Sequence, residues 1–88
     1  MKEIVKLQHP FTHAGMTYTE VAFRVPKARD VRRIGNMADT DVNKTHQMLV
    51  DLTELPADVL DEMDPRDYLA LNGKIMRFLV PSQETLEK

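Results

Sequence analysis

Asp64-Pro65-Arg66-Asp67-Tyr68, followed at helical intervals by Leu71, Ile75 and Phe78, is the stretch that organises the rest of this chain. An aspartate at the residue flanking a helix accepts hydrogen bonds from the free N–H groups of its first turn. Proline suits the next position, because its missing N–H has no intrahelical partner there. Asp67, one turn in, complements the positive end of the helix dipole. Capping and dipole thus account for both carboxylates. Tyr68, Leu71, Ile75 and Phe78 form one apolar face. The spacing predicts a last helix over 65–79, ending before Pro81, with those four side chains in an internal core. That face needs a surface to dock on, and the rest of the chain must supply it.

Upstream, Leu55-Pro56 interrupts, and Pro56 opens a short helix carrying Val59, Leu60 and Met63. Asp39 or Thr40 caps a helix over 41–53, with Val42, His46, Leu49 and Leu52 or Thr53 along one side. Residues 27–37 read as a helix with Ala28, Val31, Ile34 and Met37 on one face, frayed at Gly35-Asn36. Before Pro26 the period changes from helical to alternating. Tyr18, Glu20, Ala22 and Arg24 fall on one side of residues 17–24, and Val21, Phe23 and Val25 on the other. Residues 3–9 alternate as well, with Ile4 opposite Val5 and Leu7, and His9-Pro10 ends the run because proline cannot donate to a ladder. His13-Ala14-Gly15-Met16 is the turn, with Gly15 supplying a positive φ. The expected fold is α+β: an N-terminal β-hairpin followed by three to four short α-helices. It forms one domain over 1–80 with a flexible polar tail at 81–88. A lone hairpin is marginal in water, so helices or another chain must cover its apolar face. Gly35 and Gly73 inside helices each cost up to about 1 kcal/mol relative to alanine. They imply either a helical half that firms up on a partner or helices that approach closely.

Composition narrows the function. The 88 residues are 42% hydrophobic and 30% charged, the balance of a soluble globular domain. With no cysteine there is no disulfide, thiolate metal site or cysteine nucleophile. Met1-Lys2-Glu3-Ile4-Val5-Lys6 lacks the long apolar run of a signal peptide, and no stretch approaches the roughly 18–20 apolar residues that span a bilayer. The net charge of −2 argues against general nucleic-acid binding. The charge is uneven, however. Arg24, Lys27, Arg29, Arg32 and Arg33 form a basic surface, and Asp51, Glu54, Asp58, Asp61, Glu62, Asp64 and Asp67 an acidic one. Such surfaces are either solvated faces that attract weakly across the fold or a two-signed docking surface.

No site chemistry converges. His9 and His13 flank a turn without metal-ligand spacing, and His46 reads as a helix-face residue. No serine or threonine sits in a glycine-rich elbow, and the three glycines are scattered, so neither a nucleophile nor a phosphate loop is present. The reading is a protein with no catalytic, cofactor-binding or metal site. Arg29, Arg32 and Arg33 could meet a phosphate backbone, but base-reading and stacking side chains are missing beside them. The six methionines suit either gap-filling in a core or a surface that adapts to apolar partners.

A longer pattern joins these pieces. Leu7 and Pro10 lie in the first strand, with Gly15, Tyr18 and Glu20 in the turn and second strand. Arg24, Pro26 and Asp30 mark the strand exit and first helix. Leu49, Leu52, Thr53, Leu55 and Pro56 mark the middle, and Asp64, Asp67, Tyr68, Leu71, Phe78 and Leu79 the end. In order and spacing this resembles the phage tail assembly chaperones of Mu-like and P2-like contractile-tailed phages, over residues 4–80. Arg32, Arg33 and His9 depart from the pattern.

The resemblance implies a non-enzymatic factor of phage or prophage that acts in the bacterial host cytoplasm and is absent from the mature virion. It implies binding to the tape measure protein and assistance to tail tube protein assembly. It also implies a longer form made by frameshifting, beginning near the polar tail. An apolar surface including Met37, Met48, Leu49, Leu52 and Leu55 is expected to cover the tape measure protein, through a helix-in-groove contact or from the hairpin edge. A homo-oligomer is a further expectation. The competing readings are a small regulatory nucleic-acid-binding module using segment 27–33 and a minor structural tail protein.

Overall fold

The structure, a computed structural model, describes residues 2–79, and the expected tail at 81–88 lies outside them. β1 (Lys2–His13) and β2 (Met16–Arg24) form an antiparallel hairpin. It is followed by α1 (Ala28–Gly35), α2 (Asp41–Thr53), α3 (Ala57–Asp61) and α4 (Pro65–Met76). The α+β order is the expected one. Ala14 and Gly15 both take positive φ, 52° and 80°, which matches a two-residue turn to the right-handed twist of the strands. Alternation delivers Leu7, Val21 and Phe23 to one face of the hairpin. Leu49 and Leu52 from α2, Leu60 from α3, Met63, and Leu71 and Ile75 from α4 close over them into one core.

The first strand does not stop at His9-Pro10. Lys6 pairs with Glu20 and Phe11 with Tyr18, so Leu7, Gln8, His9 and Pro10 bulge opposite Thr19 alone. Proline is tolerated there because the ladder is already interrupted. The bulge also turns backbone donors away from β2. Gln8 N–H and His9 N–H both donate to the Asp67 carboxylate, at 3.1 and 2.8 Å. Asp67 is therefore more than a dipole-complementing residue: from the first turn of α4 it is buried as the acceptor that holds the β1 bulge. Asp64 caps as expected, accepting from Arg66 N–H at 2.8 Å.

The expected apolar face of α1 is only partly realised. Ile34 is buried, whereas Val31 and Ala28 are exposed, and the other buried residue is Asp30. Its carboxylate takes a bidentate pair from Arg24, at 2.9 and 2.8 Å, and accepts from Lys27 N–H at 2.8 Å. This joins the end of β2 to the start of α1 across the Pro26 break. Thr40 caps α2, accepting from Asn43 N–H. At its other end Thr53 Oγ1 donates to the Leu49 carbonyl at 2.6 Å and accepts from Leu55 N–H at 3.2 Å. Glu54 takes a left-handed φ of 62°, which stops α2 and turns the chain into Pro56. α4 ends at Met76, short of the expected 79. Phe78 lies beyond it, exposed rather than in the core, with its ring edge-on to Phe23 at 6.0 Å between centroids. Tyr68 is half-buried. A Cβ on Gly35 or Gly73 would meet nothing within 4 Å, so close helix approach is not why either is glycine.

The Asp30 clamp carries a pH dependence. The Arg24 guanidinium and the Lys27 N–H outweigh burial and hold its carboxyl at about 2, below the ordinary 3.8. A depressed carboxylate stabilises the fold above its unfolded pKa, and that stabilisation fades as pH falls from 3.8 towards 2. The shift corresponds to about 1–2 kcal/mol once screening of the part-exposed Arg24 is allowed for. Urea midpoints at pH 7 and pH 2.5 should differ less for Asp30→Asn than for the parent chain. An equal fall in both would remove the clamp from the acid response.

Candidate partner-binding site

The helical half carries an open cleft of about 490 Å³ where three helices meet. Val42, Asn43 and His46 line it from the N-terminal half of α2. Leu60 and Asp61 come from α3, Met63 from the turn, and Pro65 and Tyr68 from α4. Each capping choice contributes to this shape. Thr40 starts α2 so that its first turns project beyond the core. The Leu55-Pro56 break folds α3 back, and Asp64-Pro65 begins α4 at the rim. Leu60 and Met63 are buried, while Val42 at the mouth is 77% exposed.

The polar side chains of the cleft are Asn43, His46, Asp61 and Tyr68. His46 Nδ1 lies 2.8 Å from the Tyr68 hydroxyl, joining α2 to α4. His46 Nε2 is buried, 3.3 Å from Asp61 Oδ1, but not aligned for a hydrogen bond. Burial raises the Tyr68 hydroxyl pKa, and the Asp61 charge adds to the effect. No serine, threonine or cysteine lines the cleft. Chemically it can take apolar side chains.

The structure separates the expected partner residues. Leu49 and Leu52 are at 0% exposure in the core, so neither presents a surface in this fold. Met48 and Leu55 are half-buried and pack against that core. Met37 is half-buried after α1. The strongly exposed apolar side chains of the helical half are instead Val42 and Leu69, the latter 67% exposed, with Met76, Phe78 and Val31 less so. Sequence reasoning passed over Leu69 and took Met76 only as one of the six methionines that suit a core or an adaptable surface. Seven residues apart, they share a face of α4 other than that of Leu71 and Ile75, and this spacing is the signal that could have found them.

The basic surface is also divided. Arg24 is held by Asp30, and Arg33 pairs with Asp51 at 2.6 Å, so basic and acidic segments do meet across the fold. Lys27, Arg29 and Arg32 remain exposed with no ion pair among the described residues. Among those residues no cluster of three or more metal-ligating side chains occurs, and no helix is long and apolar enough to cross a membrane.

No curated protein and no solved structure matches this chain. One family model does, over residues 4–80, and its description is phage tail assembly chaperone proteins, E, or 41 or 14. The matched span runs from the exposed Ile4 of β1 through the bulge, the Arg24–Asp30 clamp, the Thr53 stop and the Asp67 contact, so that the motifs singled out in the sequence are the joints of this fold. With nearly its whole length matched, the chain belongs to the phage tail assembly chaperone family.

Proposed function

We propose that the chain is a non-enzymatic tail assembly chaperone that binds the tape measure protein and assists tail tube assembly. It acts in the bacterial host cytoplasm and leaves before the virion matures. The observation that carries this reading, beside family membership, is the apolar cleft between α2, α3 and α4, with Val42 exposed at its mouth. A long helical protein that aggregates through apolar side chains can lay one face into such a cleft, in a helix-in-groove contact. Of the side chains expected to cover the partner, Met37, Met48 and Leu55 are half-buried and keep some exposed surface. Pairing of Arg33 with Asp51 takes one cation out of segment 27–33, and base-reading and stacking side chains are missing beside the others, which makes a nucleic-acid contact the weaker reading.

Co-expression with the tape measure protein of the same phage tests the proposal. The expected result is soluble tape measure that co-purifies in high salt, as apolar contact requires. Val42→Asp should leave the circular dichroism spectrum unchanged and weaken capture by about tenfold, the loss of one apolar anchor. Tape measure that stays insoluble, even with a frameshifted longer form of the chaperone added, overturns the reading. Recovery of the protein from purified virions would instead make it a structural tail component.

A further inference from the structure

The two edges of the hairpin are not equivalent. β1 carries what usually blunts an edge: Lys2 and Lys6, Pro10, and the bulge over Leu7–Pro10. Asp67 also takes two of its backbone donors. β2, Met16-Thr17-Tyr18-Thr19-Glu20-Val21-Ala22-Phe23-Arg24, has no proline, lysine, glycine or bulge and is rich in strand-forming residues. The sheet has two strands only, so the outer edge of β2 is unpaired. Among the described residues no backbone hydrogen bond from a helix or loop reaches it. Two exposed apolar side chains also stand on the strands, Ile4 at 55% and Met16 at 59%. The molecule is elongated, 49 Å in its longest dimension. Its radius of gyration of 14.0 Å exceeds the about 12 Å expected for a compact chain of this length.

We propose that the β2 edge pairs antiparallel with β2 of a second copy of this chain, about a twofold axis at Thr19, to give a four-stranded sheet. A second copy fits because the edge is self-complementary in that register. Thr19 faces Thr19, Tyr18 faces Glu20, Thr17 faces Val21, and Met16 faces Ala22, so no like charges are opposed. Ile4 is already the cross-strand neighbour of Ala22. The pairing therefore sets Met16 of one copy on a row with Ala22 and Ile4 of the other and shields both exposed apolar side chains. Antiparallel pairing of β1 with itself about Ile4 would set Lys2 against Lys6. The axis at Thr19 also keeps the partner strand clear of Val25, where the chain turns away towards α1. Thr19, opposite the bulge, has no registered partner in β1. This inference is independent of what the cleft binds.

The absence of cysteine makes the register testable. Directly opposed residues of antiparallel strands have Cα atoms about 4.5–5.5 Å apart, within reach of a disulfide. Under mild oxidation Thr19→Cys should cross-link to twice the 10.1 kDa chain mass, whereas Glu62→Cys, on the helical side, should stay monomeric. In sedimentation the unmodified chain should show a dimer, and Thr19→Lys, which opposes two lysines across the axis, should weaken it by roughly tenfold or more with an unchanged circular dichroism spectrum. If Thr19→Lys does not fold, the cross-linking pair decides. A strictly monomeric parent chain, or a dimer that Thr19→Cys does not cross-link, overturns the proposal. So does protection of β2 amides from exchange only when tape measure protein is added, which would give the edge to another chain.

Discussion

Asp67→Ala lowers the unfolding free energy by about 3–5 kcal/mol, a large share of the about 4–13 kcal/mol available to a chain of this length. The loss comes from the bulge. Gln8 N–H and His9 N–H have left the ladder and find their acceptor in this one carboxylate, at 3.1 and 2.8 Å. Bonds to a charged acceptor contribute about 1.5–3 kcal/mol each, and a buried donor left without a partner costs about as much. Asn at this position restores one carbonyl acceptor but turns an NH₂ towards the other donor, so Asp67→Asn recovers part of the loss. Urea unfolding gives the energies, and amide exchange gives the location: Gln8 and His9 should lose protection before the rest of β1. Asp64→Ala is the control, since Asp64 caps the same helix from the surface and should matter much less. Equal effects of the two substitutions would reduce Asp67 to a dipole partner. The neighbouring Tyr68 lines the cleft, so the clamp that seats α4 on the hairpin also sets one wall of that cleft.

The hairpin and the helix order were legible because they depend on local rules. Alternation separates Val21 and Phe23 from Glu20 and Ala22, Gly15 fixes the turn, and Thr40 and Asp64 mark helix starts. The bulge was not legible, because what stabilises it lies 58 and 59 residues away in sequence. Proline in a strand ordinarily ends it, and only an external acceptor makes the interruption tolerable. The role of Asp30 was hidden as well. The pattern placed it at the start of the first helix, but not in the clamp that Arg24 and the Lys27 N–H build around it. The candidate site was the least legible part. Helical period shows that Val42, Leu49 and Leu52 share a side of α2, but not where along that side the core ends. Here it ends between Leu49 and Val42, where His46 of α2 lines the cleft together with residues of α3 and the start of α4. Charge counting likewise found the basic surface without the Asp51 and Asp30 partners that neutralise Arg33 and Arg24.

That boundary along α2 yields the second large effect. Leu49→Ala should cost about 2–5 kcal/mol, as for a leucine cut from a closed core, and Leu49→Asp should abolish folding. At 0% exposure an added carboxylate has no solvent, and the side chains packed around Leu49 and Leu52 offer it no partner. Leu52→Asp should behave alike. Val42→Asp, on the same side of the same helix, should shift the urea midpoint by an amount equivalent to no more than about 0.5 kcal/mol, because Val42 is 77% exposed. The contrast decides how binding data are to be read. Loss of tape measure solubility in a Leu49 or Leu52 variant reports unfolding, whereas the same loss in Val42→Asp, with an unchanged midpoint, reports contact. A folded Leu49→Asp with a near-parental midpoint would mean that α2 does not pack on the hairpin through Leu49. The cleft, whose floor depends on that packing, would then have to be placed elsewhere.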